Sequence, residues 1–290
     1  MTVRIEADLL IPGRGDPINQ GTVVLEGSKV AYAGPADSAP ETPGADVTTV
    51  AVVMPGLWEC HGHFFGLDKP DIMSLVTETV ALGSARAVGD LSRTLMGGVT
   101  SVREVGGLGL DIQPAIEAGQ VSGPTVYGAG RIISTTGGHG DLHAVPLDAL
   151  HEIEGIGLLA DGVPEVIKAV RTNLRKNARV IKICASGGVM SEVDHPIHQQ
   201  FSHEELVAMV AEAGRAERIV AAHCHGKPGI MAALEAGVVT IEHGSFMDEE
   251  AADLMVDKGA IYVPTRFVVD QLLGMEDILP PYAYRKGLIV

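Results

Sequence analysis

The residues of this chain best suited to chemistry are two histidines, His61 and His63, which end the apolar segment that starts at Val52. Alternate side chains of a β-strand project from the same face, so both imidazoles would point the same way from the end of a strand. Imidazole is a common ligand of divalent metals. The pair therefore indicates a metal site, and the alternative is two ordinary hydrogen-bonded polar side chains.

Lys182 lies inside another apolar segment, 179–185, which has the pattern of a strand buried in a parallel sheet. An unpaired ammonium is costly to bury, so this lysine needs a carboxylate partner, a wet strand end for its amine, or a modification. Two further apolar segments, 218–225 and 238–244, finish with histidine. Three histidine-tipped strands and one lysine-bearing strand, alternating with helices, would converge on one point.

This order of residues resembles the amidohydrolase superfamily, in which His-x-His lies on barrel strand one, a lysine on strand four and histidines on strands five and six. Three phrases carry the similarity over nearly the whole chain: Thr-Gly-Gly-His-Gly-Asp (136–141), Ala-Ser-Gly-Gly-Val (185–189) and Ile-Glu-His-Gly (241–244). They resemble the imidazolonepropionase-like branch, which includes Xaa-Pro dipeptidases. The resemblance implies a TIM-type (β/α)8 barrel and a carboxylated lysine that bridges two divalent ions.

The resemblance also assigns roles to individual residues. It implies that His61 and His63 hold one ion and that His223 and His243 hold the other. Carboxylated Lys182 would lie between the ions, and Lys182 and His243 are the expected catalytic residues. Zinc is the default ion because imidazole and carboxylate suit it. Two ions about 3.5–4 Å apart would lower the pKa of a bridging water and provide hydroxide for attack on an amide carbonyl.

Substrate contacts are expected in the loops at the C-terminal ends of the strands, where this fold builds its active sites. In related dipeptidases a loop-three histidine helps to bind the substrate α-carboxylate, and His139 matches that phrase. Arg131 is a second candidate, because arginine binds carboxylates bidentately. His225, on the same strand face as His223, is a third. Each has a structural alternative: a backbone hydrogen bond, an ion pair or a place at the rim.

The coarse architecture has two parts. Residues 1–54 contain short strands, such as 3–11 and 22–32, interrupted by Gly and Pro, and predict a small β-sandwich domain. Residues 55–290 predict the barrel. Its strands are placed near 56–61, 99–105, 124–131, 179–185, 218–224, 238–243 and 260–265. Helices are predicted over 74–96, with Leu75, Leu82 and Leu91 in the core, and over 202–216, which opens with a capping box.

Seven barrel strands are predicted, whereas the fold has eight. In the resembling family, strand eight carries an aspartate that ligates a metal and acts as general acid and base. Asp270 and Asp277 follow strand seven too soon to take that place. We therefore expect the sequence to be a fragment of a longer enzyme, and the alternative is a protein that departs from its family at the catalytic centre. Arg266, at the end of strand seven, is a further candidate for binding a carboxylate.

Composition narrows the class of protein. The chain has 290 residues, of which 46% are hydrophobic, and a net charge of −16, which disfavours nucleic acid and anionic membrane as partners. The start lacks the features of a secretion signal and no stretch would span a bilayer, so a cytoplasmic location is expected. Cys60, Cys184 and Cys224 imply no disulfide framework. We expect them to act as small hydrophobic residues, and Cys184, on the face of Lys182, is the one to examine.

These observations favour a binuclear metal-dependent hydrolase that cleaves an amide bond of a small molecule carrying a carboxylate. An Xaa-Pro dipeptide or an N-acyl amino acid is the leading substrate, and a cyclic amide, carbamate or ester is the alternative in the same class. A different class is a truncated, non-catalytic metal-binding protein. Self-association into a homo-oligomer is left open.

Overall fold

A computed structural model of the protein describes residues 1–150 and 157–290, except for the side chains of residues 149 and 150. The chain divides into two compact units, Met1–Leu57 and Trp58–Val290. The sequence placed a domain boundary after residue 54.

The first unit is a four-stranded sheet in the order β3-β2-β1-β4. Its strands are β1 (Thr2–Leu10), β2 (Ile18–Glu26), β3 (Lys29–Pro35) and β4 (Asp46–Val53). The predicted strand 22–32 divides at Gly27, whose φ of 60° suits a tight turn, and its two halves pair antiparallel. The described residues of this unit form one sheet, so the predicted sandwich stays a prediction.

The other strands form two sheets. One has the order β5-β6-β7 and the other the order β13-β12-β11-β10-β8-β9. The strands are β5 (Leu57–Gly62), β6 (Val99–Glu104), β7 (Thr125–Gly128), β8 (Ile132–Ser134), β9 (Gly157–Leu159), β10 (Val180–Cys184), β11 (Ile219–Cys224), β12 (Thr240–His243) and β13 (Ile261–Val263). The two sheets meet where Arg179 N donates to Gly128 O at 2.8 Å.

The pairings of β6 to β13 are parallel, which confirms the predicted α/β class. All seven predicted barrel strands are present, and β8 and β9 are short additional ones. Closure of the sheets into a barrel stays a prediction.

Helices connect most of the successive strands from β5 to β13, as expected for parallel pairing, and α9 and α10 follow β13. They are α1 (Ser74–Thr77), α2 (Val80–Met96), α3 (Gly109–Glu117), α4 (Leu147–Leu150), α5 (Val163–Arg175), α6 (His203–Arg215), α7 (Lys227–Glu235), α8 (Glu249–Lys258), α9 (Arg266–Leu273) and α10 (Pro281–Gly287). Among the described residues, none of these helices has the length and apolar character needed to cross a membrane.

The prediction of one helix over 74–96 was wrong. The chain leaves helical geometry at Thr79, whose ψ is 144° and whose side chain accepts a hydrogen bond from Leu82 N at 3.3 Å, so that α2 starts afresh with its own N-cap. Leu91 is buried as predicted, but Leu82 is 43% exposed. The predicted capping box is confirmed: Ser202 Oγ accepts from Glu205 N at 3.3 Å, and the Glu205 carboxylate accepts from Ser202 N at 2.7 Å.

The main core packs the outer face of β10 and β11 against the helices α5 to α7. Ile181 and Ile183 are fully buried in this core. Because side chains alternate along a strand, Lys182 and Cys184 project to the opposite face of β10. The packing of the core therefore decides which β10 residues reach the site.

Candidate active site

The C-terminal ends of β5, β10, β11 and β12 surround a cavity of about 500 Å³. Seven of the predicted site residues line it: His61, His63, His139, Lys182, His223, His225 and His243. They come from segments up to 182 residues apart in sequence (His61 to His243). The structure thus brings the predicted histidines and the lysine to one place.

The histidine pair on β5 has a defined orientation. His61 Nδ1 lies 2.7 Å from Glu242 Oε2, and His63 Nδ1 lies 2.8 Å from Gly106 O. A carboxylate and a carbonyl only accept hydrogen bonds, so both rings carry a hydrogen on Nδ1. Burial lowers the pKa of His61 well below its usual value and that of His63 to about 4, so both rings are neutral near pH 7. Each Nε2 therefore carries a lone pair.

These two lone pairs face each other, with the Nε2 atoms of His61 and His63 3.2 Å apart. Such a contact between two acceptors is unfavourable without a cation or a hydrogen between them. Two zinc–nitrogen bonds of about 2.0–2.1 Å at a tetrahedral angle put their nitrogens about 3.3 Å apart. The pair therefore fits a divalent metal ion.

His223 and His243 each have one ring nitrogen in a hydrogen bond. His223 Nε2 donates to Gly187 O at 3.0 Å, which leaves Nδ1 as its bare nitrogen. His243 Nδ1 lies 2.5 Å from Thr265 Oγ1, and because a hydroxyl can donate or accept, this contact does not fix the position of the ring hydrogen. The two ring centres are 4.6 Å apart. Burial lowers the pKa of both rings well below the usual value, so both are neutral rather than cationic near pH 7.

Lys182 is 2% exposed and, among the described residues, forms neither an ion pair nor a hydrogen bond. Burial lowers the pKa of its amine, while the negative charge of Glu242 opposes that change. A neutral amine is the form that adds carbon dioxide to become a carbamate. The carboxylate partner considered for Lys182 from the sequence is not found within the described parts of the chain.

Within the described parts of the chain, no three His, Cys, Asp or Glu side chains form a ready-made metal cage. In the implied arrangement each ion has two histidines and shares Lys182. Of the four residue types His, Cys, Asp and Glu, the implied arrangement therefore gives each ion two side chains, both of them histidines. In the implied arrangement, a further ligand such as a lysine carbamate oxygen would have to complete each site.

Arg103 and Glu242 support the site and were not predicted. Glu242 is fully buried and accepts two hydrogen bonds from Arg103 Nη2, at 2.8 and 2.7 Å, besides its contact with His61. Arg103 Nε also donates to Cys60 O at 2.6 Å. The pair therefore fixes the hydrogen of His61 on Nδ1. A glutamate inside the apolar strand 238–244, next to a candidate ligand, was the sequence signal for this role.

The structure does not bring Arg131 to the histidine cavity. It precedes β8 and so lies at the start of that strand, whereas the site forms at the strand ends. Its Nη2 donates to Gly157 O at 2.5 Å, and its side chain lines a different cavity. Arg131 thus lies away from the histidine cavity, and the contact between Arg131 and a substrate stays a prediction.

The remaining candidates are divided. Arg266 lines the histidine cavity and pairs with the exposed Asp270 at 3.3 Å. Cys184 also lines the histidine cavity, but burial raises the pKa of its thiol to about 12, so it is not a thiolate near neutral pH. Cys60 is exposed and Cys224 is buried.

The parallel sheets carry histidines and a lysine that converge on one cavity, which is the arrangement expected of an amidohydrolase. The amidohydrolase family model matches residues 52–279, and the chain belongs to this family.

Two relatives give the comparison detail. The chain is 42% identical over 287 residues to ochratoxinase of Aspergillus niger, an alignment that covers 93% of this chain and 60% of that protein. The crystal structure of A. niger ochratoxinase matches with a TM-score of 0.90 and 40% identity, covering 99% of this chain and 70% of that one. A Xaa-Pro dipeptidase with bound methionine in the active site matches with a TM-score of 0.88 and 30% identity, covering 99% and 73%.

These comparisons confirm the predicted family. The chain spans 60% of the length of the curated relatives that it matches.

Proposed function

We propose that this protein is a metal-dependent hydrolase that cleaves an amide bond in a small molecule carrying a carboxylate, either an Xaa-Pro dipeptide or an N-acyl amino acid. The observation that supports it most is the pair of facing imidazole lone pairs, 3.2 Å apart, on His61 and His63. The similarity to ochratoxinase and to a Xaa-Pro dipeptidase agrees with this chemistry.

The protein's residues prepare a binuclear centre. His61 and His63 would hold one ion, His223 and His243 would hold the other, and Lys182, as a carbamate, would supply an oxygen ligand. When bound, two divalent ions, zinc by ligand type, supply hydroxide near neutral pH and polarise the scissile carbonyl. Carbamate formation joins the neutral Lys182 amine to carbon dioxide with loss of one proton, which replaces a buried amine by an anionic oxygen ligand.

The rest of the cavity supports a substrate with an apolar part. One wall is formed by α9 and the end of β13, which contribute Val263, Phe267, Val268 and Leu272. Arg266 stands at the same wall and is 68% exposed at its side chain, so its guanidinium is accessible to a substrate carboxylate. His139 and His225 line the cavity beside the proposed ligands.

The test replaces Lys182 by alanine, with the exposed Lys258→Ala as its matched control. Both proteins are reconstituted with zinc and bicarbonate, and bound metal is counted by elemental analysis. We expect Lys182→Ala to lose bound zinc and the control to keep it. A short carboxylate such as propionate should partly restore metal binding, because it fits the space that the side chain leaves. Two equivalents of zinc in Lys182→Ala would show that the bridging role is wrong.

Activity is then measured on a panel of Xaa-Pro dipeptides and N-acyl amino acids, with cyclic amides, carbamates and esters included. Hydrolysis that needs metal and Lys182 supports the proposal. Metal binding without hydrolysis of any member would favour the alternative of a non-catalytic metal-binding protein. Hydrolysis of cyclic amides, carbamates or esters alone would instead favour the second hydrolase alternative.

A further inference from the structure

A second cavity, of about 240 Å³, adjoins the histidine cavity at Met190. Met190 lines both cavities. Of the two, Val189 lines only the histidine cavity and Ser191 lines only the second one. The chain therefore passes between the two cavities at Met190, and a ligand that extended from one cavity into the other would meet this residue.

The second cavity has a largely apolar lining at the same ends of the strands as the histidine cavity. Met73 comes from the loop after β5, Leu142 from the loop after β8 and Pro280 from the N-terminal end of α10. These side chains suit a hydrocarbon group, which gains free energy by leaving water. Asp71 and Glu192 also line the cavity, and their carboxylates disfavour a group that ends in a negative charge.

Helix α10 holds the chain in place where it passes between the cavities. Lys286 Nζ donates to Ser191 O at 2.7 Å and to Asp194 Oδ1 at 3.1 Å. Tyr282 Oη donates to Met190 O at 3.4 Å. The side chains of Lys286 and Asp194 are 12% and 6% exposed, so solvent screens their ion pair little. Backbone carbonyls tied at two successive residues keep Met190 between the cavities.

We propose that Met190 is a specificity-determining residue, whose side chain closes the histidine cavity against the second one and limits the length of the hydrocarbon group that a substrate can carry. Lys286 is the positioning residue that holds Met190 there. The role in substrate choice rests on the proposed function. With a short side chain at residue 190 the two cavities join, and a longer neutral hydrocarbon group of the substrate enters the second one.

The first test measures binding rather than hydrolysis. Linear alkyl hydroxamates bind zinc through their two oxygens, and calorimetry gives their affinity for the zinc-loaded protein as the chain is lengthened from acetyl to dodecanoyl. Each CH2 group that enters an apolar cavity increases affinity about fourfold. We expect this increase to stop in the unsubstituted protein once the chain reaches Met190, and to continue to longer chains in Met190→Ala.

Two matched variants control for the loss of side-chain volume. Met190→Leu nearly conserves that volume and should keep the length limit. Val193→Ala, at a 72% exposed position on the same loop and outside the lining of both cavities, should keep it too. An identical length limit in Met190→Ala and the unsubstituted protein would overturn the proposal.

The positioning role of Lys286 is read from the same series. Lys286→Met removes the ion pair, so that the chain at Met190 can move, and we expect long hydroxamates to gain relative to short ones. Lys286→Arg, which keeps the charge, should restore the limit, and Arg285→Met, an equal loss of charge at an exposed position on α10, should leave it unchanged. An equal loss of affinity at every chain length would show that Lys286 has only a structural role.

The second test needs neither bound metal nor hydrolysis. Crystals of the unsubstituted protein and of Met190→Ala are soaked with 1-decanol. We expect the alcohol to run from the histidine cavity past residue 190 to Met73 in the variant, and to stop at Met190 in the unsubstituted protein. The same result in both crystals, including no bound alcohol, would contradict the closing role. Failure of every hydroxamate to bind would count against the proposed metal site, and absence of amide hydrolysis against the proposed function, while the decanol result would still decide the role of Met190.

Discussion

Glu242 is the residue on which the orientation of His61 most directly depends. Its carboxylate is fully buried and is shared between His61 and Arg103, so it aligns one ring and at the same time pairs with a partly buried cation. Carboxylates that orient metal-binding histidines contribute about 10–100-fold to metal affinity. Glu242 therefore affects the proposed metal site without being one of its ligands.

We predict that Glu242→Gln lowers zinc affinity about 10–100-fold while leaving the protein folded. The amide can present its NH2 group to His61, which favours the wrong tautomer of that ring. Competition with a chromophoric chelator measures the affinity, and circular dichroism checks the fold. Glu250→Gln, on the exposed side of α8, is the control. Equal affinity in the two variants would show that Glu242 does not orient the site.

His225 provides a contrast with the proposed ligands. Its Nδ1 lies 2.8 Å from Ser245 Oγ, and its ring lines the cavity. We predict that His225→Ala keeps its metal and changes mainly KM, whereas His223→Ala loses metal and turnover together. Elemental analysis and steady-state kinetics on both variants measure this. Loss of one metal equivalent in His225→Ala would place His225 among the ligands.

At the scale of elements, Glu104 joins the end of β6 to the start of α3. Its buried carboxylate accepts hydrogen bonds from Gly109 N at 2.8 Å, Leu110 N at 3.0 Å and Phe64 N at 3.3 Å. Burial raises its pKa from 4.5 to about 7, although these N–H groups oppose the change. Burial thus disfavours the charged form of Glu104. The same junction includes Phe64, the residue that follows His63.

We predict that Glu104 makes the protein less stable as the pH rises. Between pH 4.5 and about 7 the folded chain binds a proton on Glu104 that the unfolded chain has released, so stability falls with rising pH. The contribution is complete below pH 4.5 and is lost as the pH passes the folded pKa; it amounts to about 3 kcal/mol. The Glu104→Gln variant has no ionisable group at this position, so it lacks this pH-dependent contribution.

Urea unfolding of metal-free protein at pH 5 and pH 8 tests this prediction. The stability of the unsubstituted protein relative to Glu104→Gln should drop by about 2.5 kcal/mol over that interval, because a part of the contribution is already lost at pH 5. Glu117→Gln, on the exposed end of α3, should show no such pH-dependent difference. Parallel stability curves for Glu104→Gln and the unsubstituted protein would contradict the raised pKa.

The sequence predicted the residues of this site better than their partners. A histidine at the end of an apolar segment or a lysine inside one is a weak signal alone, but four such segments in one chain indicated a common site. The bond between Arg103 and Glu242 joins positions 139 residues apart, and nothing local records it. The break between α1 and α2 was missed because the capping preference of Thr79 outweighs an apolar pattern that continues through it. Similarly, β8 and β9 have three residues each, too few to show a period.

At the scale of the whole molecule, the important feature is that the described sheets have edge strands. Within the described residues, β13 pairs only with β12 and β5 only with β6. Ile261 and Tyr262 of β13 are 56% and 45% exposed. An apolar strand with free backbone donors and acceptors is a template for pairing with another chain.

We predict that residues 1–290 on their own associate with rising concentration through β13, and that Ile261→Lys reduces this association because a charged side chain blocks edge pairing. Light scattering across a concentration series measures it. Val256→Lys, at an 81% exposed position on α8, adds the same charge away from the edge and should have little effect. Equal association of the two variants would show that contact occurs elsewhere.

The nitrogen pair of His61 and His63 also has a consequence for the supply of metal. Imidazole sites bind first-row ions in the order that rises from manganese to copper, so this pair does not itself discriminate in favour of zinc. Copper or nickel, where present, would occupy it first. The ion found in the protein therefore reflects the medium in which it folds, and nickel-affinity chromatography would load the pair with the column's own ion. Isolation through a metal-free affinity tag, followed by defined reconstitution, is the route that makes metal counts on this protein interpretable.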